Sequence, residues 1–166
     1  MQAVARVEAV APIQAGGIVL VDERKPELSC RLLQDPSKAA RPVLCITREP
    51  PERVARRHPM AAADHYWLIT NGGDRCVDPY DLGAVQGLIG GFVAANPEGT
   101  VLIDGIELLM VMNSYEEVRG FLCALQSTLL RTNAECVIPI DSRTLTTREL
   151  AEMRTTFPMV RGSTSE

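Results

Sequence analysis

Short apolar runs alternate with amphipathic stretches along most of this chain, and the alternation predicts strands interleaved with helices. Ile18-Val19-Leu20-Val21, entered through Gly16-Gly17, and Val43-Leu44-Cys45-Ile46-Thr47, after Arg41-Pro42, read as strands buried on both faces. Tyr66-Trp67-Leu68-Ile69 predicts a third strand, closed by the turn signal Asn71-Gly72-Gly73. Thr100-Val101-Leu102-Ile103-Asp104-Gly105 is apolar until it ends in a carboxylate and a glycine. Glu135-Cys136-Val137-Ile138-Pro139-Ile140-Asp141 is a late strand with proline near its end.

Between these runs the period changes from two to that of a helix. Pro26 to Leu33 forms one helix, with Leu28, Leu32 and Leu33 on its apolar side, and Glu49-Pro50-Pro51 starts a short basic helix through Arg57. Asp78-Pro79-Tyr80-Asp81 opens a third helix, in which Leu82, Val85, Ile89, Phe92 and Val93 recur at helical spacing until Asn96-Pro97-Glu98-Gly99 breaks it. Ile106 to Met112 continues apolar. Ser114-Tyr115-Glu116-Glu117 is a capping box for a long helix, with Val118, Phe121, Leu122, Leu125 and Leu129 on its buried face, and Thr146-Thr147-Arg148-Glu149 caps a final one through Arg154. The pattern predicts an α/β three-layer sandwich with a largely parallel sheet and helices on both faces. Residues 1–15 read as an N-terminal extension, 16–157 as one domain and 158–166 as a flexible tail.

Composition narrows the partners. The 166 residues are 46% hydrophobic, enough for one substantial core. With 17 basic and 21 acidic residues the formal charge is −4, so no global field favours nucleic acid or an anionic membrane. The five cysteines, Cys30, Cys45, Cys76, Cys123 and Cys136, are widely spaced, form no metal-ligand motif and read as reduced thiols of an unprocessed cytoplasmic protein. No window is long and apolar enough to span a bilayer. Neither a metal, a cofactor nor a catalytic residue is assigned.

In a parallel sheet ligands gather beyond the carboxyl ends of the strands, which places Thr47-Arg48, Thr70-Asn71, Asp104 and Asp141-Ser142-Arg143 on a polar rim. Arg48 and Arg143 are candidate anion ligands there, and Asp104 and Asp141 candidate cation ligands. Arg53, Arg56 and Arg57, with His58, make the densest basic patch, a candidate docking surface or a solvated helix face. Gly83, Gly87 and Gly91 fall four apart on one side of the third helix, where each costs about 1 kcal/mol relative to Ala. Close approach of the sheet or another helix would account for them; self-association is the alternative. His65, alone, reads as structural.

The runs Pro42 to Val54, Tyr66-Trp67-Leu68, Asp78 to Leu82 and Val101 to Leu109 together resemble the uncharacterised family catalogued as domain of unknown function eight-three-five, over about residues 16 to 154. That resemblance implies a mostly archaeal family, occurring alone or attached to sensory and regulatory modules, with a signalling or scaffolding role. The family in turn is similar to RecA- and KaiC-type ATPase cores, and Asp104 matches their second acidic nucleotide motif. The place of their phosphate loop is taken by Asp22-Glu23-Arg24-Lys25-Pro26-Glu27-Leu28-Ser29, which has no glycine, and no G-x-x-x-x-G-K-[ST] occurs elsewhere. The reading that follows is a non-catalytic regulatory or protein-interaction domain, self-associating as a homodimer or docking on a protein partner. In it Asp104 is a strand end-cap that holds the Gly105 turn through local hydrogen bonds. The alternative is a small-molecule or nucleotide-binding domain, possibly enzymatic, that uses Arg48, Asp104, Asp141 and Arg143.

Overall fold

Strands with apolar residues on both faces need cover on both, and the chain supplies it from the helices interleaved with the strands. The computed structural model describes residues 16–60 and 62–161. Its strands are β1 (Gly17–Asp22), β2 (Val43–Thr47), β3 (Ala63–Leu68), β4 (Cys76–Val77), β5 (Thr100–Asp104), β6 (Glu135–Ile140) and β7 (Met159–Arg161). They form one sheet in the order β4-β3-β2-β5-β6-β1-β7, every pairing parallel. The helices are α1 (Glu27–Leu33), α2 (Pro51–Arg57), α3 (Leu82–Ala95), α4 (Ile106–Met112), α5 (Tyr115–Leu129) and α6 (Thr147–Thr156). The architecture is the three-layer α/β sandwich expected from the sequence.

The two-residue period of the strands divides the core. Ile18, Leu20, Leu44, Ile46, Val101, Ile103 and Ile138 pack with Val85 and Ile89 of α3, Ile106 and Leu109 of α4, and Leu122 and Leu125 of α5. Their neighbours in sequence, Val19, Val21, Val43, Cys45, Leu102 and Val137, pack with Cys30 and Leu33 of α1. Thr47 and Asp104 pair across β2 and β5, two residues beyond Cys45 and Leu102. They therefore continue the face that α1 covers.

Four features depart from the sequence reading. β3 begins at Ala63 rather than Tyr66, because its first residues pair only with β2 and are half-exposed, so they carry no apolar run. β4 is two residues long and was not expected. Met159–Arg161, expected in a flexible tail, pairs with Leu20–Asp22 of β1, and Val160 is only 3% exposed. Residues 1–15 and 162–166, the remainder of the expected extension and tail, lie outside the described residues.

The fourth departure concerns α3. Gly83, Gly87 and Gly91 are exposed, and a Cβ at Gly87 or Gly91 would meet no atom within 4 Å. The helix buries Val85, Ile89 and Val93 instead, two positions away and so on the opposite side. Close packing among the described residues does not explain Gly87 and Gly91. At Gly105 it does explain the residue: φ is 153° and a Cβ would lie 2.8 Å from Leu68 Cδ1.

Ending the chain after Pro158 removes the buried Val160 and the β7 ladder, and should destabilise the fold by about 2–4 kcal/mol. Urea unfolding followed by circular dichroism measures this; an unchanged midpoint would mean that β7 contributes nothing.

Candidate functional site

Because all strands run one way, the loops after β1, β2, β5 and β6 meet at one edge, and most of the carboxylates there are held by backbone donors or arginines. Glu23, the first residue after β1, turns back onto α1. Its Oε2 accepts from Leu28 N (2.8 Å), and its Oε1 from Ser29 N (2.9 Å) and Ser29 Oγ (2.6 Å). α1 has Pro26 at its N-cap, which offers no side-chain acceptor, so the exposed amides of its first turn are satisfied by this carboxylate. The segment Asp22 to Ser29 thus places its own anion on the first-turn donors of α1.

Asp104 closes β5, and its side chain is 6% exposed. Its backbone carbonyl accepts Arg48 N (2.9 Å), fastening the ends of β2 and β5. Arg48 Nη2 lies 3.7 Å from Oδ1, an ion pair too long for a hydrogen bond, and no donor among the described residues hydrogen-bonds to the carboxylate. The expected end-cap is therefore corrected: the main chain of Asp104 bonds across to the end of β2, and no hydrogen bond among the described residues ties its side chain to the Gly105 turn. The strand's two-residue period sends that side chain to the face that α1 covers. Burial pushes the carboxyl up to about 6; Arg48 opposes this, while Glu107, Glu49 and Glu23 add to it.

Glu107, on the first turn of α4, accepts Asp141 N at its Oε1 (2.8 Å) and leaves Oε2 buried without a partner. Glu49 pairs through Oε1 with Arg57 Nη1 (3.1 Å) and likewise leaves Oε2 buried and unpaired. Asp22 accepts Ser142 N (3.0 Å) and pairs with Arg161 Nε (3.4 Å). Asp141 and Arg143 form a two-pronged pair, Nε to Oδ1 at 2.9 Å and Nη2 to Oδ2 at 2.8 Å, with Arg143 N adding a third bond. The Arg143 hydrogen bonds hold the Asp141 carboxyl down at about 2.

The four rim residues singled out in the sequence thus form two pairs, Arg48 with Asp104 and Asp141 with Arg143, each arginine turned to its neighbouring acid. Glu107 stands between them, bonded to the backbone of Asp141 and acting on Asp104 through charge. Among the described residues no three His, Cys, Asp or Glu side chains are grouped so as to hold a metal ion. The basic helix α2 buries only Val54; Arg53 and Arg56 are exposed, and Arg57 is tied to Glu49. His65 lies within β3, and burial lowers its pKa. Glu23, Glu49 and Glu107 were not anticipated as members of the site. For Glu23 a signal existed, an acid just ahead of a helix whose N-cap is proline; for Glu107 none did, because its partner is 34 residues away.

The raised carboxyl has a definite consequence. Between its ordinary value of 3.8 and about 6, the folded chain keeps a proton on Asp104 that the unfolded chain has released. Stability therefore falls as pH rises through that window, and the penalty is complete above it. Asp104→Asn should flatten the window and raise stability at neutral pH by on the order of 2 kcal/mol. Thermal unfolding of both proteins from pH 4 to pH 8 measures this, and a variant less stable than the parent at pH 7 would show Asp104 to be a net stabiliser.

A family model described as "Protein of unknown function (DUF835)" matches residues 22–157, most of the chain. No curated protein matches it.

Proposed function

We propose that this chain, which belongs to the DUF835 family of proteins of unknown function, is a non-catalytic regulatory or protein-interaction domain in signalling or scaffolding, built on a RecA-like plan whose nucleotide site is degenerate. The seat of Glu23 on Leu28 N, Ser29 N and Ser29 Oγ carries the reading. A triphosphate at α1 would have to displace a carboxylate bonded three times, and it would meet the negative charges of Asp22 and Glu27. The loop also lacks the glycines through which a backbone nest encloses phosphate. Calorimetry with ATP and Mg²⁺ should give no binding heat, and no phosphate should be released. Micromolar affinity with turnover would reject the non-catalytic reading.

A second reading has one observation in its favour, the Asp104 carboxylate, buried beside Arg48 and free of hydrogen bonds among the described residues. If nucleotide binds without turnover and Asp104→Asn abolishes binding, the domain is a ligand sensor at the sheet edge.

Self-association belongs to the leading reading. No charged residue occurs in α3, a Cβ at Gly87 or Gly91 would meet nothing within 4 Å among the described residues, and Val111 and Tyr80 are 79% and 58% exposed. Asn113 Nδ2 donates to Pro79 O (2.9 Å), tying the end of α4 to the loop that leads into α3. Gly87→Glu should improve helix propensity by about 0.5–1 kcal/mol while placing a charge on that face. Light scattering is expected to show a dimer for the parent chain and a monomer for the variant; a parent that is monomeric at high micromolar concentration would exclude the homodimer.

A further inference from the structure

A groove of about 310 Å³ separates α5 from α6, walled by Arg119, Arg148, Ala151, Glu152, Thr155 and Thr156. None of these residues belongs to the sheet edge. The volume falls at the small end of the range for small-molecule sites, about 300–1,000 Å³. Each of the two helices contributes one guanidinium.

The acid in the wall is already committed. Glu152 accepts Tyr115 Oη at Oε2 (3.0 Å) and Arg148 Nε at Oε1 (3.1 Å), so both of its oxygens are engaged and its charge is compensated. The hydroxyls of Thr155 and Thr156 are committed as well, donating to the carbonyls of Ala151 and Glu152 at 2.8 Å each. The guanidinia are ion-paired as well, Arg148 with Glu152 and Arg119 with Glu116, but each keeps N–H groups without a hydrogen-bond partner among the described residues. Arg148 uses only Nε, and its side chain is 87% exposed. Arg119 Nε is shut off from solvent with no partner, and Glu116 Oε2 lies 3.6 Å from Nη1, outside hydrogen-bond distance. Two guanidinia with unbonded N–H groups, the Arg119 side chain 39% exposed and that of Arg148 87%, thus line one concavity from two helices.

We propose that the α5–α6 groove is a binding site for a small molecule bearing a phosphate or carboxylate group, held by Arg119 and Arg148. The planar forks of two arginines suit such a group, which each can grip through parallel N–H bonds. A nucleic-acid strand fits less well, since no aromatic side chain lines the groove and the chain carries a net charge of −4.

The test is thermal unfolding of the full chain with inorganic phosphate and, separately, with citrate, each against sodium chloride at equal ionic strength. At about ten times Kd, a ligand of this site should raise Tm by about 3–6 °C. A rise with phosphate alone, citrate alone or both identifies the group recognised and supports the proposal. Arg119→Gln and Arg148→Gln should each abolish the rise, whereas Arg154→Gln, exposed on α6 outside the groove, should retain it. Arg148→Gln alters a surface side chain and leaves the fold intact, so it decides the matter even if Arg119→Gln unfolds. No rise beyond that in chloride, or a rise that survives Arg148→Gln, overturns the proposal.

Discussion

A parallel sheet delivers the end of every strand to the same edge, and in this protein the residues delivered there are mostly acids. Asp22 ends β1 and Glu23 follows it, Glu49 follows β2, Asp104 ends β5, Glu107 lies in the first turn of α4, and Asp141 follows β6. Like charges so close would drive the loops apart unless each met a donor. The edge is organised by that requirement: Glu23 takes the amides of α1, Asp22 takes Ser142 N, Glu107 takes Asp141 N, and Asp141 takes Arg143. These bonds connect loops far apart in sequence, and together they tie the ends of β1, β5 and β6.

Asp104 is the member left over. Its register with Thr47 sends the side chain under α1, into the layer of Cys45 and Leu102, where water is excluded and Arg48 reaches only to 3.7 Å. A buried carboxylate without hydrogen bonds destabilises the fold in which it sits.

The segments most legible in the sequence were those whose environment is uniform along their length. Val43–Thr47 and Thr100–Asp104 are covered on both faces from end to end, so their apolar runs match the observed strands residue for residue. The capping boxes at Ser114 and Thr146 were equally plain, because the bonds that make them span three residues. β3, β4 and β7 were obscured because sheet edges are buried on one side or only in part, and their residues are correspondingly mixed. The glycines of α3 were visible as a stripe, but which way the stripe faces depends on where Val85, Ile89 and Val93 find the sheet.

Local pattern alone determined that strands and helices alternate, that the sheet is buried on both faces, and that no G-x-x-x-x-G-K-[ST] motif occurs. Period and composition follow from contacts within a few residues or from the general need to exclude water, and a single chain displays both. The pairing of charges followed another rule. Arg48 and Arg143 were readable as free anion ligands, yet each faces an acid that register or loop geometry brings beside it, and Glu23 reaches amides that exist only once α1 has formed. The same holds for Arg119 and Arg148, separated in sequence and joined across one groove by the packing of α5 against α6. Only the tertiary structure could decide these, because electrostatic partners are chosen by distance in space, over spans where the sequence sets no distance.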